Sequence, residues 1–431
     1  MSFRKLLFWT HLVAGVITGV VIFIMSFTGA ALALQPQILE WAERDMRTVS
    51  VPAGADWLGP EALLARVAEA RPAERPTGLT REHDPAAAVA VTLAPRAEED
   101  ADAGGGPRRR GPQTTVYVDP YTGALLGQVD QTSFARRFFR VNTDWHRWLA
   151  VEGDGRNAAR WVTGVSNAAF LVLAITGLYI WIPRVWTATA FKAVTFFRGG
   201  LSGKARDFNW HNVIGLWTGV VIAVLSFTGM CISFPKTYDL IYAVTGIERP
   251  AGPGRADGGP GARADGGARP VRGGGPGRQA DGPIEPGPRA LQRQAPRLDA
   301  SWALAEQQMP SWRSIAMRLP EGRGADVSFT MNDRDRLNPM ARSTLTVNAA
   351  TVAVAEWQPY EGTTTGQRLR TWMRFGHTGE LWGLPGQIIA GIASAGGCVL
   401  VWTGIALAWR RFTAWRARRA RPATAAARQA A

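Results

Sequence analysis

The chain has 431 residues, 46% of them hydrophobic and 19% charged, with a formal net charge of +15, two cysteines and five histidines. Cys231 and Cys398 stand alone within apolar segments, so neither a disulfide framework nor a metal cluster is suggested. The basic excess needs no nucleic-acid partner, because it is concentrated beside apolar segments and in one low-complexity stretch.

In chain order, a short N-terminus (1–10) runs into a predicted transmembrane helix over 8–34, which has the roughly 20 residues needed to cross a hydrocarbon core of about 30 Å. Arg4-Lys5 before it and Ala31-Leu32-Ala33 near its end look like parts of a signal peptide. A near copy of the segment lies in mid-chain, where no signal peptide can be, and this favours retention of the first. Residues 35–130 read as an outer module. In it, 60–70 has helical spacing, 87–93 and 115–118 alternate as strands, and Asp119-Pro120-Tyr121-Thr122-Gly123 is a turn. An interfacial segment over 131–160, basic and aromatic, contains His146. It leads to the second helix, 161–183, with Thr176-Gly177 and Trp181 at its end.

A basic loop (184–210) holds Arg184, Lys192, Arg198, Lys204 and Arg206 and precedes the third helix, 211–235. After a connection at 236–248, residues 249–298 are rich in Gly, Pro, Ala and Arg with almost no large apolar residue. Such a linker cannot offset its ordering entropy and is expected to be disordered. A second outer module (299–362) has helical spacing at 301–309 and strand patterns at 314–319, 327–331 and 344–347. One helix and a small antiparallel sheet are expected in each module. A second interfacial segment (363–383) contains His377 and opens into the fourth helix, 384–409, with Thr403-Gly404 and Trp409. The tail, 410–431, is basic, with Arg410, Arg411, Arg416, Arg418, Arg419 and Arg421. The basic residues nearest the helix ends place both termini and the 184–210 loop in the cytoplasm and both modules outside.

The chain also repeats itself. Residues 11–30 read HLVAGVITGVVIFIMSFTGA and 211–230 read HNVIGLWTGVVIAVLSFTGM, identical at twelve of twenty positions. Lipid exposure asks only for apolar side chains and does not explain a histidine, two glycines and a Thr-Gly pair recurring in register. The predicted fold class is therefore a membrane α-helical bundle of four transmembrane helices, built as a tandem duplication, with two small α+β outer modules. Helices one and three run the same way, so the halves are related by an axis along the membrane normal. That axis puts His11 beside His211 near one face and His146 beside His377 near the other.

Ionisable residues at such positions are costly and point to function. A facing imidazole pair with no carboxylate or thiolate nearby suits the two axial positions of a haem. Gly15 and Gly19 follow His11 on one helical face, as Gly215 and Gly219 follow His211, and would let a flat macrocycle lie against the backbone. Helix packing through small residues is the competing explanation for these glycines. His83 has no counterpart in the second half and reads as a surface residue. There is no CxxCH for covalent haem, and no Gly-rich turn in a strand-to-helix context for a nicotinamide or flavin.

The H-x-x-x-G-x-x-x-G helices with their SFTG ends, the YVDPYTGALLG turn, and the WHRWL and GHTGELWG stretches resemble the PepSY-associated transmembrane family, whose members are often called iron-regulated or iron-uptake membrane proteins. The resemblance spans nearly the whole chain except the linker, and the second module lacks the Asp-Pro-Tyr-Thr-Gly turn. It implies a bacterial inner-membrane protein with two b-type haems, His11 and His211 holding the inner one and His146 and His377 the outer one. The implied donor is a cytoplasmic reductase or a membrane quinol, and the acceptor a periplasmic one such as a ferric siderophore. The alternative is a non-redox membrane protein whose outer modules bind or sense a peptide, protease or siderophore. For the outer pair to form, the charged stretch between His146 and Trp161, with Glu152, Asp154, Arg156 and Arg160, must fold back at the surface.

Overall fold

The computed structural model describes residues 2–96, 113–183, 187–248, 296–320, 326–335, 338 and 341–420. Almost all of the 249–298 linker, Arg184, and Arg421 with the rest of the tail lie outside the described residues.

The chain begins with α1 (Phe3–Leu32), α2 (Gln35–Ala42), α3 (Arg44–Arg47) and α4 (Pro60–Ala70), then strands β1 (Glu74–Glu82), β2 (Val89–Pro95), β3 (Thr114–Val118) and β4 (Leu125–Gln128). It continues through α5 (Phe134–Trp148), α6 (Arg156–Trp181), α7 (Ala188–Thr195), α8 (Gly203–Ser233) and α9 (Lys236–Thr245). The last part comprises α10 (Leu298–Gln308), β5 (Trp312–Arg318), β6 (Asp326–Asp333), β7 (Arg342–Asn348), β8 (Ala353–Gln358), α11 (Thr365–Thr378) and α12 (Gly383–Ala420).

Among the described residues four helices, α1, α6, α8 and α12, are long and apolar enough to cross a membrane. They form a ring in which α1 and α8 each pack against both α6 and α12. Side chains are distributed in the reverse of the soluble pattern. Ile17, Val20, Trp217, Val220 and Ile392 are exposed, whereas Ser26, Thr28, Asn167, Thr176, Ser226, Thr228 and Thr403 are buried. Apolar side chains facing lipid and polar ones facing the bundle axis are what a hydrocarbon surrounding requires. Ser26 lies close against Gly397, where an added Cβ would sit 2.7 Å from the serine Oγ, so the helices approach through small residues.

The two outer modules do not form separate sheets. Eight strands among the described residues make one antiparallel sheet in the order β4-β3-β2-β1-β5-β6-β7-β8, with β1 paired to β5 from Gly78↔Arg318 to Glu82↔Ser314. The expectation of two small sheets is corrected by β1. Pro76, Gly78 and four charged residues hide this strand from pattern reading. Left alone, each four-stranded half would expose an edge, and pairing β1 with β5 removes both edges at once. Gly78 is needed there, since a Cβ would lie 2.8 Å from the Met317 carbonyl oxygen.

One core serves both modules, with Leu63 and Val67 of α4, Trp302 and Ala305 of α10, and Leu79, Ile315, Phe329 and Leu345 of the sheet all fully buried or nearly so. The two helices also cap each other. The Asp299 carboxylate accepts from the Glu61 backbone N–H at 2.8 Å, and the Glu61 carboxylate accepts from that of Asp299 at 3.1 Å. The turn expected at 119–123 is present, with Asp119 Oδ1 accepting from the Tyr121 N–H and Gly123 at φ +72°.

Candidate functional site

All four paired histidines meet their partners at the axis of the bundle. His11 projects from α1 and His211 from α8, the two diagonal helices, and their ring centroids are 6.3 Å apart with planes at 83°. His146 ends α5 and His377 ends α11, two short helices with basic and aromatic faces, and their centroids are 6.2 Å apart at 48°. The first pair lies toward the end of the bundle that carries the chain termini, the second toward the end that carries the sheet.

Two different turns bring the sheet-side histidines over the bundle. After α5 the chain reverses through Leu149 and Ala150, both at positive φ (51° and 58°), and a short 3-10 turn at Gly153–Gly155 delivers it into α6. The charged stretch folds back as the second pair requires, and Thr163 fixes the corner by donating to the Arg147 carbonyl. After α11 the same reversal uses Gly379 at φ +76°, packed so closely on Gly386 that a Cβ would lie 2.5 Å from its oxygen.

Each imidazole rests on a Thr-Gly pair of another helix. His11 Nδ1 lies 3.0 Å from Thr176 Oγ1, His146 Nδ1 3.0 Å from Thr28 Oγ1, His211 Nδ1 2.9 Å from Thr403 Oγ1, and His377 Nδ1 3.3 Å from Thr228 Oγ1. Every one of these threonines donates its single hydroxyl hydrogen to its own helix, to the carbonyls of Val172, Ile24, Val399 and Val224 respectively, at 2.7 to 2.8 Å. The hydroxyl can then only accept from the imidazole, so Nδ1 carries the proton and Nε2 keeps its lone pair. His377 also donates to the Leu225 carbonyl at 2.9 Å, which fixes the same tautomer independently.

The glycine that follows each threonine makes room for the ring. A Cβ on Gly177, Gly29 or Gly404 would lie 3.2, 3.3 or 3.4 Å from the Cε1 of His11, His146 or His211, and on Gly229 it would lie 2.8 Å from that of His377. These pairs are visible in the sequence, but nothing local in them marks the histidine each one serves. Gly15 and Gly19, and Gly215 and Gly219, face other neighbours. Their nearest contacts are Leu173, Ile405, Leu400 and Leu178 side chains at 3.7, 3.4, 3.6 and 3.0 Å. The imidazoles are therefore packed by a second set of glycines that the repeat made equally visible.

Burial pushes the His146 imidazole down to about 4, with His377 opposite as the second cause. Burial also lowers His377, against the hydrogen bond to Leu225 that raises it. Both rings are neutral at pH 7, the state that binds a metal. They line a cavity of about 1060 Å³ that also reaches Phe170, Tyr238 and Arg370. Among the described residues no three His, Cys, Asp or Glu side chains converge as a metal cluster. Each pair thus offers two facing imidazoles, which no His, Cys, Asp or Glu among the described residues joins as a third ligand.

His83 lies apart from both pairs, exposed at the end of β1, its ring 4.8 Å from that of Trp312. Cys231 and Cys398 are free thiols. A family described as PepSY-associated TM region matches residues 8–411 of the chain. No curated protein matches it.

Proposed function

The chain belongs to the PepSY-associated transmembrane family, and from that premise we propose that it is a di-haem b-type membrane protein that moves electrons from one face of the bilayer to the other. The observation that carries this reading is the spacing of the imidazoles. Two metal–nitrogen bonds of about 2.0 Å, with about 1.1 Å from each nitrogen to its ring centroid, require centroids about 6.2 Å apart. The pairs are at 6.3 and 6.2 Å.

A bare ion held by two nitrogens would lack most of its coordination, whereas a haem would bring its own nitrogen ligands and would need only a histidine pair from the protein. His11 and His211 would hold one haem and His146 and His377 the other. Bound there, the group supplies reversible one-electron storage at iron. The chain's own part is to orient the ligands. The threonine hydroxyls and the Leu225 carbonyl hold the Nδ1 hydrogens, direct the Nε2 lone pairs inward, and tune ligand basicity. Gly15, Gly19, Gly215 and Gly219 keep the surrounding backbone close, sharing that surface with Leu173, Ile405, Leu400 and Leu178.

The histidine of α1 or α8 and the threonine seat on the same helix are 17 residues apart, about 25 Å of helix at 1.5 Å per residue, so two sites are needed to connect the faces. Basic residues flanking the termini favour a cytoplasmic location for that end, in the inner membrane, and an outer location for the sheet. The mirrored strand order and the repeated helix order support a tandem duplication with two PepSY-like modules. The donor on this reading is a cytoplasmic reductase or a quinol, and the acceptor a periplasmic ferric complex such as a ferric siderophore.

The test is a dithionite-reduced minus oxidised visible spectrum of the detergent-purified protein with a pyridine haemochrome count. About two b-type haems per chain with low-spin bands are expected. No haem in protein made with ample haem supply would overturn the proposal and leave binding or sensing by the sheet as the function.

A further inference from the structure

The inner end of the sheet-side cavity is polar at a depth where a membrane-spanning bundle has most reason to be apolar. Ser26 of α1, Asn167 of α6, Ser226 of α8 and Ser394 of α12 all line it, one residue from each of the four long helices. The repeat relates them in pairs. Ser26 and Ser226 lie three residues before the seat glycines Gly29 and Gly229, and Asn167 and Ser394 lie nine residues before the seat threonines Thr176 and Thr403. A Cβ on Gly29 would lie 3.5 Å from Ser394 Oγ, and one on Gly229 would lie 2.8 Å from both Asn167 Nδ2 and His377 Cε1. The four therefore form a ring within about one helical turn of the sheet-side imidazoles, on their membrane side.

Their hydrogen bonding is incomplete. Ser26, Asn167 and Ser226 are 5%, 6% and 2% exposed. Thr28 and Thr228 on the same helices return their hydroxyl hydrogens to the carbonyls four residues back, but the three serines do not. Asn167 donates its Nδ2 to the Ser226 carbonyl at 2.8 Å, which fixes the amide and leaves Oδ1 as an acceptor. Among the described residues neither that oxygen nor any of the three hydroxyls has a hydrogen-bond partner. Polar groups left unpaired at this depth are costly, and four that converge on one cavity can be satisfied together. Uncharged donors and acceptors mixed in one ring suit water, which gives and accepts hydrogen bonds alike.

Beyond the ring the axis is closed by carbon. Ile22 and Ile222, four residues before Ser26 and Ser226, are buried. Phe170 of α6 reaches the diagonally opposite α12, where a Cβ on Gly397 would lie 3.4 Å from its Cζ and 2.7 Å from Ser26 Oγ. Phe170 and Gly397 are themselves equivalent positions, each six residues before a seat threonine. One phenyl ring thus crosses the axis, and the glycine at the matching position of the other half receives it.

We propose that Ser26, Asn167, Ser226 and Ser394 bind a cluster of water molecules at the inner end of the sheet-side cavity, and that Phe170 bars this water from the terminus-side layer. The ring alone carries the site, and its use rests on the electron-transfer reading above. On that reading the held water reorients around the charge that changes at the sheet-side pair. The phenyl ring is a hydrophobic constriction that interrupts any file of water along the axis. Electrons cross packed side chains without such a file, whereas protons need one, so the bundle passes the first and retains the second.

Brief X-ray radiolysis of the full-length protein in detergent and oxygen-18 water, read by mass spectrometry, tests the ring. A hydroxyl radical formed from held water attacks the side chains beside it, and Met25 and Phe170 line the same cavity as reporters. Both should take up oxygen-18 in the wild type. In the Ser26→Ala/Ser226→Ala variant, checked for an unchanged elution volume, labelling of Phe170 should fall severalfold. An unlabelled Phe170 in the wild type, or equal labelling in the variant, would overturn the water site. Labelling confined to protein stripped of haem would do the same, by assigning the ring to the edge of the cofactor. The constriction is read in proteoliposomes holding a pH gradient. Phe170→Ala should dissipate the gradient severalfold faster than wild type, and Phe170→Leu, which keeps an apolar side chain on the axis, should restore most of the tightness. Equal leak in wild type and Phe170→Ala would remove the role given to Phe170. Neither measurement needs bound haem, so failure of the relay and failure of the water site give different results.

Discussion

The terminus-side and sheet-side histidine layers are alike in separation and unlike in construction. Both hold their rings a little over 6 Å apart on Thr-Gly seats, yet the first draws its histidines from membrane-spanning α1 and α8 and the second from the short helices α5 and α11. What is common is the seat. In all four cases it belongs to a membrane-spanning helix, α6, α12, α1 or α8. The bundle therefore fixes where a ligand sits, and the ligand can come from inside or outside it. The sheet-side rings also line a cavity of about 1060 Å³.

The largest expected break in this comparison comes from removing a ligand. If the proposed di-haem reading holds, His11→Ala or His211→Ala should lower the haemochrome count from about two to about one and leave the sheet-side haem in place. The near-perpendicular planes of that pair, at 83°, should also give the more anisotropic of two low-spin resonance signals, because crossed imidazoles leave two iron d orbitals almost equal in energy. That signal should vanish in either variant; full haem retention in both would end the assignment.

A smaller effect tests the seats. Gly229→Ala places a Cβ 2.8 Å from both His377 Cε1 and Asn167 Nδ2, whereas Gly404→Ala places one 3.4 Å from His211 Cε1. Overpacking of this kind costs about 1–3 kcal/mol. On the proposed reading Gly229→Ala should loosen the sheet-side haem, measured as faster haem transfer to apomyoglobin, while Gly404→Ala should leave the terminus-side haem close to wild type. Equal effects would mean that the two layers tolerate displacement alike.

The smallest concerns how α5 is held. Glu43, 8% exposed, accepts from Arg47 of α3 and from Arg136 of α5. Burial alone would raise its carboxyl, but the hydrogen bonds and charges of Arg136 and Arg47 outweigh it and hold the group below its ordinary 4.5. Its contribution is therefore full above that value and is lost as pH falls through the lowered one. Glu43→Gln should cost about 2 kcal/mol at pH 7. The difference from wild type should shrink below pH 4.5, as followed by thermal unfolding in detergent. A pH-independent difference would remove the carboxylate from the docking of α5.

Much of this was legible in the sequence because it depends on single segments. Four apolar runs give four helices, and the recurrence of His11 and His211 in register gives the pairing. The Thr-Gly pairs were equally visible, but their meaning was not, since each seat lies 118 to 192 residues from its histidine. The same distance in sequence hid the union of the sheet. β1 carries Pro76 and Gly78, poor strand residues by local preference, and is held by pairing to β2 and β5 rather than by propensity. The short helices α2, α7 and α9 escaped for a related reason, being too brief to show a period.

α1 carries a histidine for one layer and a threonine seat for the other, and α8 does the same. Neither half of the chain therefore contains a finished site. On the ribosome, His11 waits for Thr176 and His211, and His211 for Thr403 on the last helix. The sheet-side pair likewise stays single until His377 has emerged, and β1 has no β5 to close its edge until the linker has been made. Biogenesis must carry an open, half-built bundle through most of translation and complete both layers almost together at its end, so a truncated chain would hold neither histidine pair.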